Sequence, residues 1–201
     1  MKHQQGLSLI SLLIGLLISS IVLIGMMVIF RNTIQAVVPT AESSRSDGER
    51  ASALLSAHML LQDAGFGVED AAYGTHLRIL NSNVFLPLEA HQGAAAIGDT
   101  VVWLSNIGGS IQCNGLQADR SGGLWRVSCD IAMESITPTS RLILPSQYKE
   151  DTVNPIIITA MRTSCHPFSI EIPGKIMITL TVQNSTQRVI DSSTCVVNFV
   201  S

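Results

Sequence analysis

Residues 7–30, LSLISLLIGLLISSIVLIGMMVIF, are 24 consecutive positions without a charged side chain, and Lys2 is the one fixed charge ahead of them. A helix rises about 1.5 Å per residue, so this run would extend roughly 36 Å and cross a hydrocarbon core of about 30 Å. Three roles compete for such a run: a discarded signal, a plain anchor, or an element of assembly. An ordinary secretory signal has an apolar core of about 7–15 residues followed by a small-x-small cleavage site. Here the run is longer, and Arg31-Asn32-Thr33 follows it directly.

Helical character is expected to continue beyond Phe30. Ile34, Val37, Val38 and Ala41 keep apolar side chains at three- and four-residue spacing. Pro39 lacks an amide donor and clashes with the preceding turn, so a kink or interruption is expected there. The polar run from Glu42 to Arg50 reads as a solvated helix surface or a local break at Gly48. Ala51, Leu54, Leu55, His58, Met59 and Leu61 then restore an apolar stripe, and Gly65 and Gly67 around Phe66 are stop signals. The reading is one long helix whose second half packs onto a domain.

From Gly74 the pattern changes to short extended runs. Strands are expected at 76–80, 84–88, 100–105, 110–113, 124–131, 141–144, 155–161, 168–172, 175–183, 187–190 and 194–200. Residues 175–183, KIMITLTVQ, are the best of these, rich in β-branched side chains with Thr179 and Thr181 on one face. Pro173-Gly174 reads as a tight turn between two antiparallel strands, and Asn184-Ser185-Thr186 as another. The fold class is therefore α+β: a long N-terminal helix on a mostly antiparallel sheet.

With 201 residues the chain suits one hydrophobic segment and one globular domain. Its formal charge is −3, or −4 once Lys2 is set aside, and the twelve basic residues are scattered. Nucleic-acid binding needs clustered Lys and Arg to neutralise phosphates, so this balance argues against it for the chain itself. Cys113, Cys129, Cys165 and Cys195 all follow the apolar run, and an even count there suggests two disulfides in an oxidising compartment. Three connectivities are possible. Sequential pairing is favoured because each loop is short and each cysteine lies near an expected strand; each bridge would then contribute roughly 3 kcal/mol. The alternative is four reduced, buried thiols.

No motif here calls for catalysis, a metal or another cofactor. His3, His58, His76, His91 and His166 show no metal-ligand spacing, and Cys165-His166 has no CxxC partner. The glycines fit neither a phosphate-cradling loop nor a dinucleotide fingerprint, and no GxSxG elbow occurs. The pairs Glu69-Asp70 and Glu150-Asp151 read as solvated loop charges, while Trp103 and Trp125 lie in apolar runs and read as core. Gly15, Ser19, Ser20 and Gly25 would let neighbouring helices approach closely, although many membrane helices contain such residues.

Lys2-His3-Gln4-Gln5-Gly6, followed by Leu7-Ser8-Leu9-Ile10, resembles a type IV prepilin leader and the start of its mature chain. The family pattern is a short basic leader ending in Gly, then Phe-Thr-Leu-Ile-Glu. The resemblance implies that a prepilin peptidase cuts between Gly6 and Leu7 and that Leu7 becomes the methylated N-terminus. Leu7 departs from the usual Phe, and Ser11 stands where the family carries Glu. A narrower resemblance runs through residues 50–67, ending Ala64-Gly65-Phe66-Gly67, and through Gln112-Cys113-Asn114-Gly115: both are similar to PilW-type minor pilins.

The resemblance implies a leader at 1–6, a transmembrane and filament-core helix at 7–30, its continuation at 31–67, and a periplasmic β-rich domain at 68–201. Its partners would be the prepilin peptidase, the inner membrane, other minor pilins and the major pilin. The resulting surface filament would serve adhesion, twitching motility or DNA uptake. In the family, the carboxylate at the fifth mature position is thought to pair with the methylated amine of a neighbouring subunit. Ser11 cannot supply that charge, which suggests a subunit at or near the pilus tip that primes assembly. One competitor is a minor pseudopilin of type II secretion, which shares the leader and helix. Another is a bitopic periplasmic binding or enzyme domain with an uncleaved anchor.

Overall fold

The computed structural model describes residues 9–144, 156–165, 172–183 and 188–199. It divides into two compact units, Met1–Ser46 and Asp47–Ser201. A 54-residue helix, α1 (Leu9–Gln62), supplies the described part of the first unit and the first element of the second. No interruption occurs at Pro39 or Gly48; both lie inside α1. An interior proline removes one donor and costs about 3 kcal/mol, which a helix of many turns absorbs without ending.

In the first unit, every described apolar side chain from Leu9 to Phe30 is exposed. The apolar residues surround the helix instead of forming a stripe, the pattern of a helix buried on all sides in its working environment. Hydroxyls along it bond back to the helix. Ser20 Oγ donates to Leu17 O at 2.8 Å, Thr33 Oγ1 to Ile29 O at 2.9 Å and Thr40 Oγ1 to Ala36 O at 2.7 Å. Such local bonding lets a hydroxyl enter an apolar medium with its donor satisfied.

In the second unit, α1 buries Ala53, Leu54, Ala57 and Leu61, a one-, three- and four-residue spacing that makes a single face. Ala51, Leu55 and Met59, expected on the same stripe, are exposed instead. The domain-facing stripe is thus narrower and one residue displaced from the expected one. Small Ala53 and Ala57 set the helix close to the sheets, and larger side chains occupy its outer face.

Ten strands follow among the described residues: β1 (Leu77–Asn81), β2 (Val84–Leu86), β3 (Ala95–Gly98), β4 (Thr100–Ile107), β5 (Ser110–Ala118), β6 (Leu124–Cys129), β7 (Ile136–Ile143), β8 (Ile157–Cys165), β9 (Ile172–Gln183) and β10 (Val189–Val196). One sheet has the order β2-β1-β4-β5-β6-β7 and the other β10-β9-β8-β3. All the strand pairings are antiparallel. The fold is the α+β arrangement expected: one long N-terminal apolar helix, with antiparallel sheets against its C-terminal turns.

The main core draws Ala57 and Leu61 from α1, Ile79, Val101, Trp103 and Leu116 from the larger sheet, and Ile158, Ile178 and Leu180 from the smaller. A second cluster on the other face of the larger sheet gathers Leu80, Val102, Leu104, Cys113, Val127 and Met133. β4 is therefore buried on both faces, which accounts for its unbroken run Val101-Val102-Trp103-Leu104. Trp103 is core, as expected. Trp125 is only half-buried: its indole lies under the Arg141 guanidinium, 4.2 Å from the ring centroid, and its Nε1 donates to Asp119 Oδ2 at 3.1 Å.

Several strand expectations change. Pro173-Gly174 is part of β9, not a turn. The β8–β9 ladder shifts register between Thr163 and Cys165, and a bulged ladder tolerates the missing proline donor. The strands expected at 187–190 and 194–200 join as β10, because Asp191, Ser192 and Ser193 pair along β9. β3 was not expected. The strand expected at 168–172 lies mostly outside the described residues, as does the turn at Asn184-Ser185-Thr186.

Candidate functional site

The residues singled out for processing, Gly6 and Leu7, lie outside the described residues. Ser11 lies on α1 and is exposed. No acidic side chain occupies the first turn of α1 as described, so the family's Glu has no nearby substitute there. Ser11, Gly15 and Ser19 follow one another at four-residue intervals and so share one face of the helix. A side chain built on Gly15 or Gly25 would meet nothing within 4 Å. Among the described residues their small size therefore serves no packing. Ser11's membership of this face was available from spacing alone, but the reading of Ser11 as a missing Glu concealed it.

The two patches behind the narrower resemblance have physical explanations. At Ala64-Gly65-Phe66-Gly67 the chain leaves α1 and fastens to β4. Gly65 N donates to Leu104 O at 2.9 Å, Asn106 N to Phe66 O at 2.7 Å, and Asn198 Nδ2 to Ala64 O at 2.8 Å. Gly65 and Gly67 have φ of 73° and 65°, a left-handed conformation that favours glycine. Space adds a second requirement: a Cβ on Gly67 would come within 2.6 Å of Asn106 O. This clasp holds the C-terminal end of α1 to the larger sheet.

In the second patch, Cys113 of β5 stands opposite Cys129 of β6, and the two form a disulfide with Cα atoms 5.0 Å apart. Two residues on, a Cβ at Gly115 would lie 2.6 Å from Val101 O and 2.8 Å from methyl groups of Val102 and Val127. The Cys-x-Gly element thus combines a cross-strand bridge with a close approach of β4, β5 and β6. The second disulfide, Cys165–Cys195, joins β8 to β10 across the intervening β9, with Cα atoms 6.1 Å apart.

Side chains also fix α1 to the smaller sheet. His58 Nδ1 lies 2.6 Å from Thr194 Oγ1, with Gln62 Nε2 3.1 Å from the other ring nitrogen. The amide nitrogen can only donate, so Nε2 accepts from it and Nδ1–H is left to donate a hydrogen bond to Thr194 Oγ1. Arg50 Nη1 donates to Gln183 O. His58 is thus a structural link between α1 and β10. His76 Nδ1 accepts from Ala72 N at 3.2 Å, and His91 lies 3.0 Å from Glu89 on the surface.

The perturbed carboxylates are turn-formers. Burial raises the Asp119 pKa, but hydrogen bonds from Ser121, Gly123 and Trp125 outweigh it and hold the group below its ordinary value. Asp130 is lowered chiefly by the backbone amides of Ser135 and Glu134, which close the turn beneath Met133. Burial pushes the Tyr73 hydroxyl up to about 12, and it donates to Leu86 O at 2.6 Å. The Ser121 hydroxyl donates to Asp119 Oδ1 at 2.6 Å within the same turn. Among the described residues, no three His, Cys, Asp or Glu side chains come together as a metal site.

The arrangement is thus an exposed, uncharged helix able to span a bilayer, continuous with a helical end clasped to a disulfide-bearing domain. Neither a curated protein nor a solved structure matches the chain. Residues 1–27 match the family model described as the prokaryotic N-terminal methylation motif. That match covers the first six residues and most of the apolar run, and it supports a chain of the type IV pilin or pseudopilin kind.

Proposed function

We propose that this chain is a PilW-like minor pilin of a type IV pilus, priming assembly from a position at or near the tip, with a structural role and no catalysis. In this reading residues 1–6 are removed, Leu7 is the methylated terminus and 7–30 holds the subunit in the inner membrane. Residues 31–67 carry the helix onward, and 68–201 stand in the periplasm until the subunit joins other minor pilins and the major pilin. The observation that carries the reading is Ser11, at the fifth mature position of a helix bearing the methylation motif. A carboxylate buried among apolar helices needs a cationic partner, because an unpaired buried charge is very costly. A subunit with no neighbour above it has no amine to receive, so a neutral Ser11 suits it.

Immunogold labelling of filaments from the native host tests the position. The expected result is label at filament ends; even label along the shafts would refute the tip placement. Mass spectrometry of the N-terminus tests the class independently. A methylated Leu7 is expected, whereas an intact Met1 would identify an uncleaved anchor and remove the pilin reading altogether. A pseudopilin of type II secretion would share that N-terminus. Deletion separates the two, since loss of piliation with secretion intact supports the pilus and the opposite outcome supports secretion.

A further inference from the structure

We draw no further inference here: the strongest candidate, the open groove of about 510 Å³ between residues 48–56 of α1 and residues 141–144 at the end of β7, carries nothing because nothing in the structure shows what covers it.

Discussion

Replacing Gly115 by Ala tests whether the Cys-x-Gly element is held by packing. Gly115 is not in the left-handed region, so alanine can adopt its backbone conformation. Taken alone, that substitution should stabilise by about 0.4–1 kcal/mol, through the reduced freedom of the unfolded chain. The space contradicts it. The new Cβ would stand 2.6 Å from Val101 O, a backbone atom fixed in the β4 ladder, and 2.8 Å from Val102 Cγ1 and Val127 Cγ2. Two neighbours are methyls of fully buried valines and cannot rotate into solvent. Overpacking of this kind costs about 1–3 kcal/mol. The net expectation is a loss of about 1–2 kcal/mol, with a fall in Tm of about 2–4 °C for each kcal/mol. Gly48→Ala supplies the control, since its Cβ meets nothing within 4 Å in the middle of α1. Removing a helical glycine there should stabilise by up to about 1 kcal/mol. Thermal and guanidinium unfolding of the oxidised, detergent-solubilised chain, followed by tryptophan fluorescence, measures both. A Gly115→Ala protein as stable as the parent would refute the steric argument.

Leu61 is fully buried where α1 meets the sheets, so Leu61→Ala should cost about 2–5 kcal/mol in the same assay; a loss below about 1 kcal/mol would mean that α1 is not held by that contact. Serine at both Cys113 and Cys129 should remove about 3 kcal/mol, and the pair Cys165 and Cys195, which closes a longer loop of 30 residues against 16, slightly more; equal stability of oxidised and reduced protein would contradict both. Asp119 has its folded pKa held below the ordinary 3.8, so its contribution is complete above that value and is lost as pH falls through the folded pKa. Asp119→Asn should therefore flatten the decline of stability in this acid range; an unchanged slope would show that the carboxylate does not organise its turn.

Legibility in the sequence followed from how local each signal is. Residues 7–30 were readable because the absence of charge over 24 positions needs no partner to interpret. The strands β4 and β9 were readable because burial on one or both faces leaves a run of β-branched and apolar residues. β7 was recovered only at its C-terminal end. It is an edge strand whose residues Thr137 to Arg141 are exposed, so its first half carries no apolar alternation. β5 runs past the expected end at Cys113 to Ala118, through Asn114 and Gly115, which have little strand preference of their own. β3 was missed because Ala95-Ala96-Ile97-Gly98 has little strand preference, and Gly98 is required because a Cβ there would lie 2.2 Å from Leu80 O and 2.8 Å from Ile79 Cγ2.

The sequence alone determined the apolar helix, its reach across a bilayer, the α+β class and the match to the N-terminal methylation motif, all properties of neighbouring residues or of composition. The tertiary structure decided which side of α1 faces the domain, because Ala53 and Ala57 permit close packing that Leu55 and Met59 would not. It also decided the cysteine partners, since Cys113 meets Cys129 only in the β5–β6 register and Cys165 reaches Cys195 only across β9. The same holds for the space at Gly67 and Gly115: a Cβ there is excluded by Asn106 O and Val101 O, about forty and fourteen positions away in the chain. Contacts at that separation leave no periodic trace, whereas a charge-free helix is complete in its own residues.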